Sequence, residues 1–200
     1  MVSRERSPPA PDCTPPDGHK GRRTMAQYSV KLVSHVAGES RLQVLIAKHL
    51  QDMFDKVFEG TSDAATVAWG RGMASDSIVL HFVPDRANSY LTKVWPDALN
   101  HSRLHAGGHT EPHSPRTGSE FYLWAREERD STPHRYTALG YAKIAFHECL
   151  HNQFPYRGGD IHGPFGGGGL AALVPHGDLP NQTNIELMRR GLAIKNEQLL

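Results

Sequence analysis

Polar and apolar positions first alternate at Tyr28, Val30 and Leu32, set against Gln27, Ser29 and Lys31. A period of two predicts a half-buried strand. The period then changes. Ser40 opens a helical stretch with Gln43 at capping-box spacing, and Leu42, Leu45, Ile46, His49, Met53 and Val57 form a stripe through Phe58, before Gly60 ends it. His49 on that stripe reads as a packed histidine rather than a ligand. Residues 66–69 predict a short strand. Residues 77–83 predict a stronger one, with Ile78, Leu80 and Phe82 on one face and Pro84 as its stop. Residues 85–118 show no clear pattern and read as a surface loop. His101, His105, His109 and His113 recur there every fourth residue, but Gly107, Gly108 and Pro112 argue against a helix.

Residues 120–125 (EFYLWA) predict a strand by aromatic content. Thr132 followed by Pro133 resembles a helix entry, so a helix is expected from about 133 to 154, closed by Pro155. A last helix is expected near Asn184, capped by Thr183 and carrying Ile185, Leu187, Met188 and Leu192. Residues 1–26 are rich in proline, glycine and charge, with too little apolar surface to offset ordering, and are expected to be a disordered tail; Met25 is an alternative start. The remainder, 27–200, reads as one α+β domain: a small twisted mixed sheet with two packed helices.

Composition narrows the function classes. Lys+Arg number 22 and Asp+Glu 21, a balance that argues against nucleic acid or an anionic membrane as partner. No apolar run approaches the roughly 20 residues that span a bilayer. The tail has no apolar signal region, so a cytoplasmic protein is the expectation, with secretion by another route as the alternative; a monomer is also expected. Two cysteines make no disulfide framework. The 13 histidines are many for 200 residues, and histidine is the commonest metal ligand.

The chemistry concentrates in the second long helix. His147-Glu148-Cys149-Leu150-His151 is an H-E-x-x-H sequence. Four residues turn a helix by about 400°, so His147 and His151 project from one face, a turn apart. Two imidazoles so placed can hold one Zn²⁺. Glu148 then lies beside the pair, where it can take a proton from a water and pass it to a leaving amine. A catalytic zinc needs a third ligand. His162, after the Gly158-Gly159 turn, is the first choice, with Asp160 and Glu186 as alternatives. Asp160 would otherwise orient His162. Cys149 reads as a small buried residue, beside Ala138, Ala142 and Ala145 at a tight helix–sheet contact. Residues 163–169 (GPFGGGG) lack the Lys and Ser/Thr of a phosphate loop and read as a connector or as a loop over the cleft. Tyr156 and Arg157 are candidates for stabilising an oxyanion.

On these residues the chain resembles the zincin metallopeptidases, and its strand and helix order resembles the upper lobe of the metzincin-like branch. The resemblance implies a twisted sheet with a backing helix ahead of the active-site helix. It also implies an edge strand that aligns a peptide substrate, for which residues 119–125 are the candidate. Phe154 and Arg157 stand where the metzincin extension has its glycine and third histidine, so a His162 ligand requires a longer turn. Met188 is the only methionine available for a Met-turn, and Glu186 as ligand would correspond to the gluzincin arrangement. The expected function is a zinc-dependent metallopeptidase acting on peptide or protein. The alternatives are a protein with a purely structural zinc and a zinc hydrolase with a non-peptide substrate.

Overall fold

The computed structural model describes residues 25–99, 107–111, 118–127, 130–153, 161–163 and 166–197. Their elements run β1 (Gln27–Ser34), α1 (Ser40–Phe58), β2 (Ala64–Trp69), β3 (Ile78–Val83), the short α2 (Leu91–Val94), β4 (Gly108–Thr110), β5 (Ser119–Tyr122), β6 (Ala125–Glu127), β7 (Asp130–His134), α3 (Ala138–Gln153) and α4 (Gln182–Glu197). The fold is α+β with a mixed five-stranded sheet, in the order β2-β1-β3-β5-β4. Strands β1, β2, β3 and β5 run parallel, and β4 runs antiparallel to β5. A separate hairpin pairs β6 with β7.

Register explains the core. Val30 lies opposite Ile78, Leu32 opposite Leu80, and Phe82 opposite Phe121. These side chains share one sheet face and join Ile46, Leu50, Phe54, Tyr141, Ala145 and Phe146 in the core. Helices α1 and α3 therefore cover that face together, and α4 packs on both. The two expected helices are thus joined by a third packed helix. All six residues of β3 are buried, because residues from the 85–99 stretch cover its second face: Tyr90 stacks on His81 with centroids 3.7 Å apart.

Several local expectations change. The α1 stripe centres on Ile46, Leu50, Met53, Phe54, Val57 and Phe58, while Leu45 is 40% exposed on its flank. Ser40 is not the cap. Glu39 occupies that position without a side-chain cap, and Gln43 Nε2 instead donates to Ser34 Oγ at 2.8 Å, tying the helix start to β1. The predicted strand at 120–125 breaks at Leu123 and Trp124, where the chain leaves the main sheet for the hairpin. Thr132 and Pro133 lie in β7, a two-stranded ribbon in which a proline is tolerated. The helix begins instead at Ala138, where Thr137 Oγ1 accepts from Gly140 N at 3.1 Å. At α4 the cap is Asn181, whose Oδ1 accepts from Asn184 N at 2.9 Å, so Thr183 is inside the helix. Met188 is fully buried within α4 and forms no Met-turn.

The largest correction is β4. Residues expected to be loop form the sheet's edge strand, which makes β5 an interior strand and moves the edge from 119–125 to Gly108–Thr110. The strand escapes detection because Gly108 and Thr110, not apolar residues, face α3. A Cβ at Gly108 would come within 2.7 Å of both the Glu120 carbonyl oxygen and Glu148 Oε1. The tail expected at 1–26 lies outside the described residues except for its last two. Ala26 belongs to the fold, donating to Asp63 Oδ1 at 3.1 Å. No helix among the described residues is long and apolar enough to cross a membrane.

Candidate metal centre

Helix α3 is buried nearly all round, lying between the sheet, α1 and α4. Its polar residues are therefore not a solvated face. His147 is 6% exposed, Glu148 5% and Asn152 1%. Cys149, Ala142 and Ala145 are all buried in the core.

His147, His151 and His162 come together. The Nε2 atoms of His147 and His151 lie 3.1 Å apart, those of His151 and His162 3.3 Å, and those of His162 and His147 3.2 Å. The helical spacing supplies the first two, as expected. The third comes from outside the helix, on the described segment 161–163. An ion about 2.0–2.1 Å from each nitrogen would see angles of about 100° between them, close to tetrahedral.

Donor chemistry makes the same point. His147 Nδ1 lies 2.8 Å from the Leu170 carbonyl oxygen, which can only accept. The proton is therefore on Nδ1, and His147 Nε2 presents a lone pair to the other two rings. A ring nitrogen carries either a hydrogen or a lone pair, so three Nε2 atoms cannot all hydrogen-bond to one another. A cation at the centre satisfies all three. Burial, followed by the charges of His147, His162 and His109, lowers the His151 pKa to about 2, which keeps that ring neutral as a ligand must be. Three histidines whose donor atoms all lie within 4.8 Å of one another can hold a metal ion.

Glu148 lies outside that trio and faces the edge strand. Thr110 Oγ1 donates to its Oε2 at 2.7 Å, and Gly108 leaves room for Oε1. Burial raises its pKa to about 8; the Thr110 hydrogen bond opposes this and the Glu120 charge adds to it. Glu120 was not singled out by the sequence. It is fully buried, its Oε2 accepting from Tyr90 N at 2.9 Å and Leu91 N at 3.1 Å, and its Oε1 from the Tyr122 hydroxyl at 2.9 Å. The available signal was a lone carboxylate inside an aromatic strand. Thr110 and Ser119, 3.0 Å apart, continue the polar seam to Asn152, whose Nδ2 donates to Ser119 Oγ at 3.0 Å.

The remaining candidates are not at the centre or lie outside what is described. Glu186 is exposed on α4 and accepts from Gln182 Nε2 at 2.9 Å. Of the spaced histidines, His109 sits in β4, with its ring lowered in pKa by burial. His101, His105, His113, Tyr156, Arg157 and Asp160 lie outside the described residues. The chain matches no protein-family model, no curated protein and no solved structure.

Proposed function

We propose that this protein is a zinc-dependent metallopeptidase of zincin type. The observation that carries the proposal is the convergence of the His147, His151 and His162 Nε2 atoms at 3.1–3.3 Å. Imidazole nitrogens in this number and geometry suit zinc. A bound zinc supplies Lewis acidity, polarising a carbonyl and easing deprotonation of water.

The chain's own residues supply the rest. Glu148 follows His147 directly and, in its ionised form, serves as the proton carrier, taking a proton from the attacking water and delivering it to the leaving amine. Thr110 holds the Glu148 carboxylate in place through its 2.7 Å hydrogen bond. Because Thr110 belongs to the edge strand, a peptide added along β4 runs beside that carboxylate. Backbone pairing of this kind recognises extended peptides with little demand on their side chains. The edge expected at 119–125 is replaced in this role by Gly108–Thr110.

The test is hydrolysis of a mixed peptide library by zinc-loaded protein, beside zinc-loaded Glu148→Gln. Loss of about 10²–10⁴-fold in turnover at unchanged zinc content is expected. Undiminished activity in Glu148→Gln would remove Glu148 from the mechanism. Absence of cleavage by the zinc-loaded wild type would overturn the peptidase reading.

A further inference from the structure

We infer that Asn184 is a positioning residue for the metal centre, acting through the glycine turn at 166–170 to preset the ligands His147 and His162. The inference rests on the reading of the three histidines as a metal site.

Asn184 belongs to α4 and is fully buried. Its Nδ2 donates to the carbonyls of Gly166 at 2.8 Å and Gly168 at 3.2 Å. Its Oδ1 accepts from Leu170 N at 3.1 Å and Asn181 N at 3.4 Å. The amide thereby uses both donors and both acceptor sites. Asn181 Nδ2 adds a bond to the Gly167 carbonyl at 3.0 Å. Two asparagines at the start of α4 therefore hold the whole turn. Ile185, Met188 and Leu192 already dock α4 in the core, so helix docking alone does not require a buried amide there.

The turn leads to two ligands. Leu170, whose N–H Asn184 holds, offers its carbonyl to His147 Nδ1 at 2.8 Å. That bond sets the ring's orientation and its tautomer. At its other end the turn abuts the backbone beside His162. A Cβ on Gly166 would overlap the Ile161 carbonyl oxygen, and Gly166 N donates to Gly163 O at 3.1 Å. A Cβ on Gly168, at φ +66°, would meet nothing nearer than His176 Cε1 at 4.0 Å, so the constraint there is backbone conformation, not space. Residues 166–169 of the run expected as a connector or covering loop instead act as a rigid bracket linking α4 to the ligands.

The test measures zinc affinity of the full chain by chelator competition, together with the visible spectrum of the cobalt(II) form. The variants are Asn184→Ala, Gly168→Ala and, as a destabilised control on β1, Val30→Ala. Asn184→Ala is expected to weaken zinc about 10–100-fold, as loss of an outer-shell partner typically does, and to alter the cobalt spectrum at saturation. Gly168→Ala, which strains the turn and leaves the amide intact, should shift both in the same direction by less. Val30→Ala should melt earlier and leave both at wild-type values. If Asn184→Ala does not fold, Gly168→Ala decides, since unchanged affinity and spectrum there would overturn the inference. Wild-type affinity and spectrum in a folded Asn184→Ala would overturn it while leaving the metal site standing. A wild type that binds no zinc would overturn the metal site itself, and this inference with it.

Discussion

Around β1, β2 and α1 the buried positions are filled by Tyr28, Val30, Leu32, Ile46, Leu50, Met53, Phe54 and Val57. Around β5, α3 and α4 they include Ser119, Glu120, His147, Glu148, Asn152, Gln153 and Asn184. The first region gains from removing apolar surface from water. The second must offset the cost of burying polar groups, and pairs most of them: Glu120 accepts three hydrogen bonds and Asn184 uses its whole amide, while Gln153 Oε1 has no partner among the described residues. Apolar and polar burial thus lie towards opposite ends of one sheet. Helix α3 joins them, with Phe146 packing on Phe54 at 5.5 Å between centroids and the adjacent His147 turned to the histidine cluster.

The sharpest way to break this division is Phe54→Ala. Removing a fully buried ring should cost about 3–5 kcal/mol by denaturant titration. The folded fraction should still take up zinc, and loss of zinc from folded Phe54→Ala would show that the two regions are not separable. Chelation is the reciprocal experiment. With free zinc at 100 times its dissociation constant, removing it should withdraw about 2.7 kcal/mol of stability, read as a lower melting temperature. No change in melting on chelation would contradict a metal centre built into the fold.

A smaller effect is expected at β3, where the regions meet. Burial, and then the neighbouring His35, lowers the His81 pKa to about 3. The unfolded chain has an ordinary histidine, titrating near 6.5. Below that value the unfolded state binds more protons, so this residue's contribution to stability is lost as pH falls from about 6.5 towards 3. The loss is about 1.4 kcal/mol per pH unit, or about 2 kcal/mol by pH 5. Urea midpoints between pH 7 and 5 should fall less steeply in His81→Leu, and identical slopes would contradict the assignment. The smallest effect is expected at Lys48, whose 3.5 Å pair with Asp52 is exposed on α1. Lys48→Ala should change stability by no more than about 0.5 kcal/mol.

Where burial is apolar, the fold was legible from the chain. Val30 and Leu32 mark β1, Ile78, Leu80 and Phe82 mark β3, and the run from Ile46 to Phe58 marks α1. The candidate site was legible where chemistry imposes a local spacing, as with His147, Glu148 and His151, and His162 joins them as anticipated. Legibility failed where a buried position holds a polar or small residue. Gly108 and Thr110 hide an edge strand because they fit against Glu148 instead of filling a core. Glu120 and Asn184 are recognisable only through partners that include ones distant in sequence, Leu91 at 29 residues and Leu170 at 14. Thr132-Pro133 carries a helix-entry signal that the hairpin overrides, and Thr137 supplies the cap instead.

The most direct test of the metal centre is elemental analysis of protein purified without a histidine tag, beside His147→Ala and His162→Ala. About one zinc per chain in the wild type, lost in both variants, is the predicted result. No zinc in the wild type after reconstitution, or full zinc retained in His162→Ala, would contradict a centre built from these three histidines.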